Sequence, residues 1–125
     1  MKAIVNDLAP HAIGPYSQGM QTGSLLYCSG QTPLDPITMK IEVDSIEEQT
    51  NRAIENLRLV LQKAGLDLNH VVKTNVFITD MALFTKMNVV YAEYFGDHKP
   101  ARSTIAVAGL PMNALVEIEC IAEFN

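Results

Sequence analysis

The segment from Ser45 to Gly65 constrains the fold more than any other, because it carries a long and regular helix signal. Apolar residues recur three or four positions apart along it, which is the spacing of one helix face. These residues are Ala53, Ile54, Leu57, Val60, Leu61 and Ala64. Ser45 with Glu48 three residues later predicts a capping box, and Gly65 supplies a stop. The sequence therefore predicts an amphipathic helix that must pack one face against other elements.

A second helix is predicted after one intervening strand. Val71–Ile78 is rich in β-branched residues and predicts that strand. Asp80 is expected to cap a helix that runs to Phe95 and ends at Gly96. Its apolar stripe consists of Phe84, Met87, Tyr91 and Tyr94. Strand and helix therefore alternate in the second half of the chain.

The remaining strands are predicted from short apolar or alternating runs bounded by Gly and Pro. They are Ala3–Val5, Gln18–Thr22, Leu25–Ser29, Ser103–Val107 and Leu115–Phe124. Gly23 and Ser24 fit a tight turn, since Gly supplies the positive φ. Gly109–Asn113 is expected to join the last two strands as a hairpin. The order of elements predicts one α+β domain over residues 1–125.

The number of helices has a consequence for assembly. Two amphipathic helices cover only one face of a single sheet. A sheet of this composition has a second face that should also be covered. Hydrophobic residues make up 48% of the chain. We therefore expect a closed oligomer in which sheets pack together across subunits.

Charge and hydropathy exclude several functional classes. The net charge is -5, with nine Lys and Arg in the chain. This balance argues against nucleic acid or an anionic membrane as a partner. No run approaches the ~20 apolar residues that span a bilayer. Asn6 and Asp7 interrupt the start, which therefore lacks an apolar signal core. The sequence predicts a soluble protein in the cytoplasm.

Cysteine and histidine usage points away from metal chemistry. Cys28 and Cys120 lie in apolar runs and are predicted to be reduced and buried. Neither cysteine has a partner at zinc-ligand spacing, and the three histidines are scattered without a visible pair. The chain shows no nucleophile triad, phosphate loop or cofactor fingerprint. We expect no metal and no cofactor.

Arg102, in the segment KPARST, is the first candidate for a functional residue. It follows a proline at the mouth of a strand, and an arginine is rarely buried unpaired. If the final hairpin pairs Ile105 with Ala114, Arg102 lies opposite Glu117 on the same face of the sheet. A register shift by one residue would separate them. The pair is then either a small polar site or a structural ion pair on a solvated face.

Four further residues leave two interpretations open. Tyr16 follows Gly-Pro in a loop and is either a packing residue or a ligand contact. Asn88 lies on the apolar helix stripe and needs a partner, which is either local backbone or a ligand. Ser29 and Gly30 follow a strand and form either a plain turn or an anion-binding backbone.

Beyond these patterns, the sequence resembles the reactive-intermediate deaminase family, RidA/YjgF. The resemblance runs almost end to end. It includes AIGPYSQG, YCSGQTPLDP, EEQTNRAIENLRLVLQKAGLDLNHVVKTNVFITDM, NVVYAEYFGDHKPARST and ALVEIECIA. It implies a chorismate-mutase-like fold, a mixed sheet with two helices on one face. It also implies a homotrimer whose sheets form a central barrel, with ligand clefts between subunits.

The resemblance also implies an activity and a set of site residues. Members of the deaminase subgroup hydrolyse reactive enamine and imine acids, such as 2-iminobutanoate and 2-iminopropanoate, to 2-oxo acids and ammonia. The carboxylate-binding arginine corresponds to Arg102, the water-associated glutamate to Glu117 and the cleft tyrosine to Tyr16. The other expected substrate contacts are Ser29, Gly30, Phe84, Asn88 and Thr104.

Some positions depart from the family pattern. Thr104 stands where many deaminase members have Cys, although its backbone N–H is retained. Ala106, Gly109 and Met112 replace Glu, Arg and Lys. These changes bear on the cleft rim and on substrate preference more than on the core chemistry. Two other functions stay open: a non-catalytic trimer that binds small carboxylates, and a ribonuclease or translation inhibitor.

Overall fold

A computed structural model describes residues 1–125 and contains six strands and two α-helices. The strands are β1 (Lys2–Ile4), β2 (Gly19–Thr22), β3 (Leu25–Gln31), β4 (Val71–Ile78), β5 (Ala101–Ala106) and β6 (Val116–Glu123). The helices are α1 (Ile46–Lys63) and α2 (Phe84–Phe95). Single 3₁₀ turns cover Leu68–His70, Met81–Leu83 and Pro111–Asn113. Every predicted strand and helix is present, with ends that differ by a few residues.

The strands form one mixed sheet in the order β1-β2-β3-β6-β4-β5. β4 and β5 are parallel and are connected through α2, while β6 lies between β3 and β4 and is antiparallel to both. The predicted hairpin between the last two strands is therefore wrong. A helical crossover lays β5 beside β4. β6 is buried at every second residue, and it takes the centre of the sheet while the largely exposed β5 takes the edge.

α1 begins and ends where the sequence predicts. The Ser45 hydroxyl accepts a hydrogen bond from the Glu48 backbone N–H at 3.1 Å. It also donates a hydrogen bond to the Glu48 carboxylate at 2.9 Å. Gly65 follows the helix with φ +80, a conformation that favours glycine. The predicted apolar stripe lies fully buried from Ala53 to Leu61.

α2 is shorter than predicted at its N-terminus. Asp80 accepts a hydrogen bond from Ala82 N at 2.8 Å and caps the 3₁₀ turn that precedes the helix. The α-helix itself begins at Phe84 and ends at Phe95, before Gly96 with φ +59. Asp80 caps only this 3₁₀ turn; the N-cap residue of α2 is Leu83, which makes no side-chain cap hydrogen bond.

Both helices lie on one face of the sheet, and the main core lies between the two layers. This arrangement confirms the predicted α+β fold with helices on one face. The opposite, open face carries Tyr27, Asn75, Phe77, Ile105, Glu117, Glu119 and Ile121. Tyr27 and Ile105 are 45% and 51% exposed there. Nothing in a single chain covers these apolar side chains.

Cys28 and Cys120 lie directly opposite each other on β3 and β6, and both are buried as predicted. The hydrogen bond from Cys28 and the burial of the site raise the pKa of Cys120 well above its ordinary value. Thiols held protonated in this way are poor nucleophiles. Neither helix has the length and apolarity needed to cross a bilayer.

Candidate functional site

Arg102 is held by one face of α2. Its Nη1 donates a hydrogen bond to Asn88 Oδ1 at 2.6 Å. Its Cζ lies 4.7 Å from the ring centroid of Tyr91 and 5.6 Å from that of Phe84. Phe84, Asn88 and Tyr91 follow helical spacing, so all three project from the same side of the helix. We call these four residues the arginine cluster.

The guanidinium of Arg102 has no carboxylate partner. The two ion pairs of the structure join Arg58 to Glu55 and to Asp67. Arg102 instead lines a cleft of about 440 Å³ together with Tyr91 and Lys99. A guanidinium that spends one donor on a neutral amide keeps its charge and its other N–H groups for a ligand. This cleft is therefore suited to an anion, and a carboxylate matches the fork of an arginine.

Asn88 has a role that neither sequence interpretation anticipated. Those interpretations gave it local backbone or a ligand as a partner, and its amide oxygen instead accepts from Arg102. Asn88 thereby fixes the guanidinium within its own plane. The hydrogen bond that Asn88 makes in this structure therefore holds the Arg102 side chain in position.

Tyr91 and Thr74 are the residues near Arg102 that sequence reasoning missed as site residues. The Tyr91 and Thr74 hydroxyls share a hydrogen bond of 2.7 Å. Thr74 lies directly opposite Arg102 in the β4–β5 pair. Burial raises the pKa of Tyr91, against the opposing effects of Thr74 and Arg102. Helical spacing could have identified Tyr91, because it is three residues after Asn88 on the predicted apolar stripe.

Glu117 lies on the open face, beside the backbone of Gly30. A Cβ atom at Gly30 would lie only 2.6 Å from Glu117 Oε2, so the carboxylate packs directly on the glycine. Burial, and then the neighbouring Glu119 carboxylate, raise the pKa of Glu117 above its ordinary value. A carboxylate of raised pKa is a stronger base near neutral pH.

Tyr16 and Ser29 lie on the same open face as Glu117. Tyr16, Ser29 and Glu119 line one concave surface of about 650 Å³. Tyr16 is 49% exposed, and its ring lies close to Gly14, so one side of the ring is packed and the rest is accessible. The Ser29 hydroxyl donates to Ser17 O at 2.6 Å and thereby ties down the loop that carries Tyr16. We call Tyr16, Ser29, Gly30, Glu117 and Glu119 the glutamate cluster.

The structure separates Arg102 from Glu117, contrary to the predicted cross-strand pair. Arg102 pairs with Thr74, and Glu117 pairs with Phe77, three residues further along β4. Positions an odd number apart on a strand point to opposite faces of the sheet. The two clusters therefore lie on opposite faces of one chain. The predicted Arg102–Glu117 pair and the predicted hairpin are wrong for the same reason, because β4 lies between β5 and β6.

Thr104 and the other departures surround the end of β5. Thr104 shares a face with Arg102, and its buried hydroxyl has no hydrogen-bond partner. Ala106 is exposed at the end of β5, and a Cβ atom added at Gly109 would meet no heavy atom within 4 Å. Met112 is 50% exposed in the following 3₁₀ turn. The hydrogen bond and ring contacts that hold Arg102 come from α2 and not from these positions.

Two of the histidines that the sequence separates lie close together. His70 and His98 line one depression of about 290 Å³ with Lys99 and Glu123. His98 Nε2 lies 2.7 Å from Val71 O, and His70 Nδ1 accepts from Asp67 N at 3.1 Å. One ring nitrogen of each histidine is therefore committed to the backbone. No three His, Cys, Asp or Glu side chains are grouped so that they could hold a metal ion.

Comparison with known proteins agrees with this architecture. The family model for endoribonuclease L-PSP matches residues 6–124. The 2-iminobutanoate/2-iminopropanoate deaminase of Salmonella typhimurium is 41% identical over 97% of this chain and 96% of its own length. Other relatives, 43% to 47% identical, carry only the name RutC family protein.

Solved structures of similar chains show the same fold. A Thermotoga maritima protein described by an endoribonuclease name has a TM-score of 0.97 and 48% identity, over 100% of this chain and 98% of that one. TdcF of Escherichia coli, solved with bound serine, has a TM-score of 0.95 and 40% identity over the whole of both chains. The chain therefore belongs to the endoribonuclease L-PSP family, which is the RidA/YjgF family that its motifs resemble.

Proposed function

We propose that this protein hydrolyses reactive enamine and imine acids, such as 2-iminobutanoate and 2-iminopropanoate, to 2-oxo acids and ammonia. The observation that carries the proposal is the Arg102 guanidinium, which is held by Asn88 and by aromatic rings, has no carboxylate partner and faces a cleft. The name of the Salmonella relative supports the same class of substrate.

The complete site would need two chains. Arg102 and Glu117 lie on opposite faces of one sheet, so one carboxylate ligand cannot meet both within a single chain. Arg102 lies on the edge strand β5, where a neighbouring chain has access to it. This placement calls for a second chain, and the family resemblance implies three; we therefore propose a homotrimer in which the arginine cluster of one chain faces the glutamate cluster of the next. Its assembly would cover the exposed apolar side chains of the open face.

The proposed mechanism assigns one role to each cluster. Arg102 forks onto the carboxylate of the imino acid and fixes the adjacent C=N carbon. Glu117 accepts a proton from a water molecule as its oxygen attacks that carbon. The C–O bond forms as the C=N electron pair moves to the nitrogen, which takes the proton back from Glu117. The hydroxyl proton of the resulting carbinolamine then passes to the nitrogen, the C–N bond breaks, and ammonia departs to leave a 2-oxo acid. General-base assistance of this kind contributes ~10²–10⁴-fold, which suffices for an imine that already hydrolyses in water.

The test of this proposal is Arg102→Ala. We expect imine hydrolysis to fall to the uncatalysed rate, measured by stopped flow on freshly generated 2-iminobutanoate, while the assembly keeps its size. Arg52→Ala is the matched control, because Arg52 also bonds an asparagine, Asn56, at 3.0 Å. An Arg102→Ala protein as fast as the control would contradict the role of Arg102.

The non-catalytic alternative is favoured by one observation. The arginine cluster is complete within one chain and has what is needed to bind a small carboxylate without Glu117. In that case the protein would bind 2-oxobutanoate in an Arg102-dependent way and would not accelerate imine loss.

The ribonuclease alternative is favoured by the family description and by the shared depression of His70 and His98. The net charge of -5 and the hydrogen bonds that occupy both rings oppose it. RNA cleavage that survives repurification and is lost in His98→Ala would support this function instead.

A further inference from the structure

Thr74 is a buried polar residue whose position calls for a function. It is fully buried in the middle of β4, and its hydroxyl makes one hydrogen bond, to the hydroxyl of Tyr91. A buried hydroxyl in a strand adds little to packing that a valine would not supply. Thr74 is also the β4 residue directly opposite Arg102, on the helix-facing side of the sheet.

The Tyr91 ring is the nearer of two aromatic surfaces against the Arg102 guanidinium. Its centroid lies 4.7 Å from Arg102 Cζ, a distance typical of a cation–π contact. One side of the ring system is fixed by stacking on Phe95, with centroids 4.5 Å apart. The hydroxyl at the far end of the ring is held by the hydrogen bond to Thr74. That hydrogen bond therefore sets the tilt of the surface on which the guanidinium rests.

The two supports of Arg102 constrain different motions. The amide oxygen of Asn88 accepts from Nη1 and restricts rotation of the guanidinium within its plane. The rings of Tyr91 and Phe84 restrict the tilt of the plane itself. A carboxylate that binds through two parallel hydrogen bonds requires both the direction and the tilt to be correct.

We propose that Thr74 is a positioning residue for Arg102: its hydroxyl holds the Tyr91 ring, and the ring sets the plane in which the guanidinium meets an anionic ligand. The consequence for catalysis rests on the proposed deaminase function. The consequence for the conformation of Arg102 does not.

Thr74→Val tests the proposal, because valine keeps the β-branched shape and loses the hydroxyl. We expect about fivefold weaker binding of 2-oxobutanoate and an equal rise in KM for the imine, with a smaller change in kcat, as fits the loss of one hydrogen bond. Thr74→Ser keeps the hydroxyl and should bind as the wild type does. Tyr91→Phe should weaken binding to a similar degree, and the double variant should be no weaker than either single one.

Thr50→Val is the matched control, because Thr50 is also fully buried but its hydroxyl has no partner. It should leave binding unchanged. A second readout, independent of activity, is the ring-current shift of the Arg102 Nε–H signal in NMR spectra, assigned by its loss in Arg102→Ala. The shift should shrink in Thr74→Val and persist in Thr74→Ser.

The outcomes separate this inference from the proposed function. Unchanged binding and an unchanged Arg102 shift in both Thr74→Val and Tyr91→Phe would overturn the positioning role, even if the wild type hydrolyses imines. A wild type without imine hydrolysis, whose Arg102 shift still depends on the Thr74 hydroxyl, would overturn the deaminase function and leave the positioning role supported.

Discussion

Gly30→Ala should separate activity from stability more cleanly than any other single change. The Cβ atom of alanine would lie 2.6 Å from Glu117 Oε2, 2.8 Å from Cδ and 3.0 Å from Cγ. Ordinary contact begins at 3.4 Å, so the carboxylate oxygen must move by about 0.8 Å. The atoms that must move belong to the end of a flexible side chain, and the backbone of Gly30 has no positive φ.

The expected effects follow from these distances. A catalytic group misplaced by about 1 Å costs on the order of 100-fold in rate, or about 2.7 kcal/mol of transition-state free energy. The free energy of unfolding should change by less than about 1 kcal/mol, because alanine lowers the entropy of the unfolded chain and so offsets the displaced contact. Stopped-flow imine hydrolysis and urea unfolding measure the two quantities.

Gly109→Ala provides the matched control, since a Cβ there meets no atom within 4 Å and φ is not positive. It should leave both rate and stability near the wild-type values. If Gly30→Ala is as active as Gly109→Ala, the carboxylate of Glu117 does not need its place against Gly30, and the role assigned to it is wrong.

Two further predictions concern stability and pH. Burial raises the pKa of Glu117, so its ionised form is destabilising in the folded state; Glu117→Gln should unfold at higher urea than the wild type at pH 7. That difference should vanish below the ordinary carboxyl pKa of 4.5, where the wild type is also neutral, and a difference that grows in acid would contradict the reasoning. Asn56→Ala should lower the free energy of unfolding by about 2–4 kcal/mol, because the buried Asn56 amide donates to Thr32 O at 3.0 Å and Leu34 O at 2.8 Å. Urea unfolding measures this loss, and a change below about 0.5 kcal/mol would show that the loop needs no such support.

The elements of the fold were predictable because their signals are local. Ser45 and Gly65 bound α1, and the β-branched run of Val71–Ile78 is β4 without change at either end. The pairing of the last two strands was not predictable by the same reasoning. A hairpin is the simplest expectation for neighbouring strands, but β6 pairs instead with β3 and β4, which are distant from it in the sequence.

In the candidate site, too, some features follow from the local sequence and others depend on the strand order. Tyr16, Asn88 and Arg102 were predicted as candidate site residues from residue type and place in the motif, which are properties of the sequence. The support of Arg102 by Tyr91 and Thr74 depends on which strand lies beside β5, and that is a property of the topology. The separation of Arg102 from Glu117 depends on it as well.

The placement of Arg102 and Glu117 on opposite faces of the sheet also prevents a salt bridge between them within one chain. Side by side, an arginine and a glutamate would neutralise each other, and any incoming acid would first have to break their salt bridge. Because the sheet lies between them, the guanidinium and the carboxylate of one polypeptide cannot form an ion pair. Each newly folded chain therefore carries both charges in an uncommitted form.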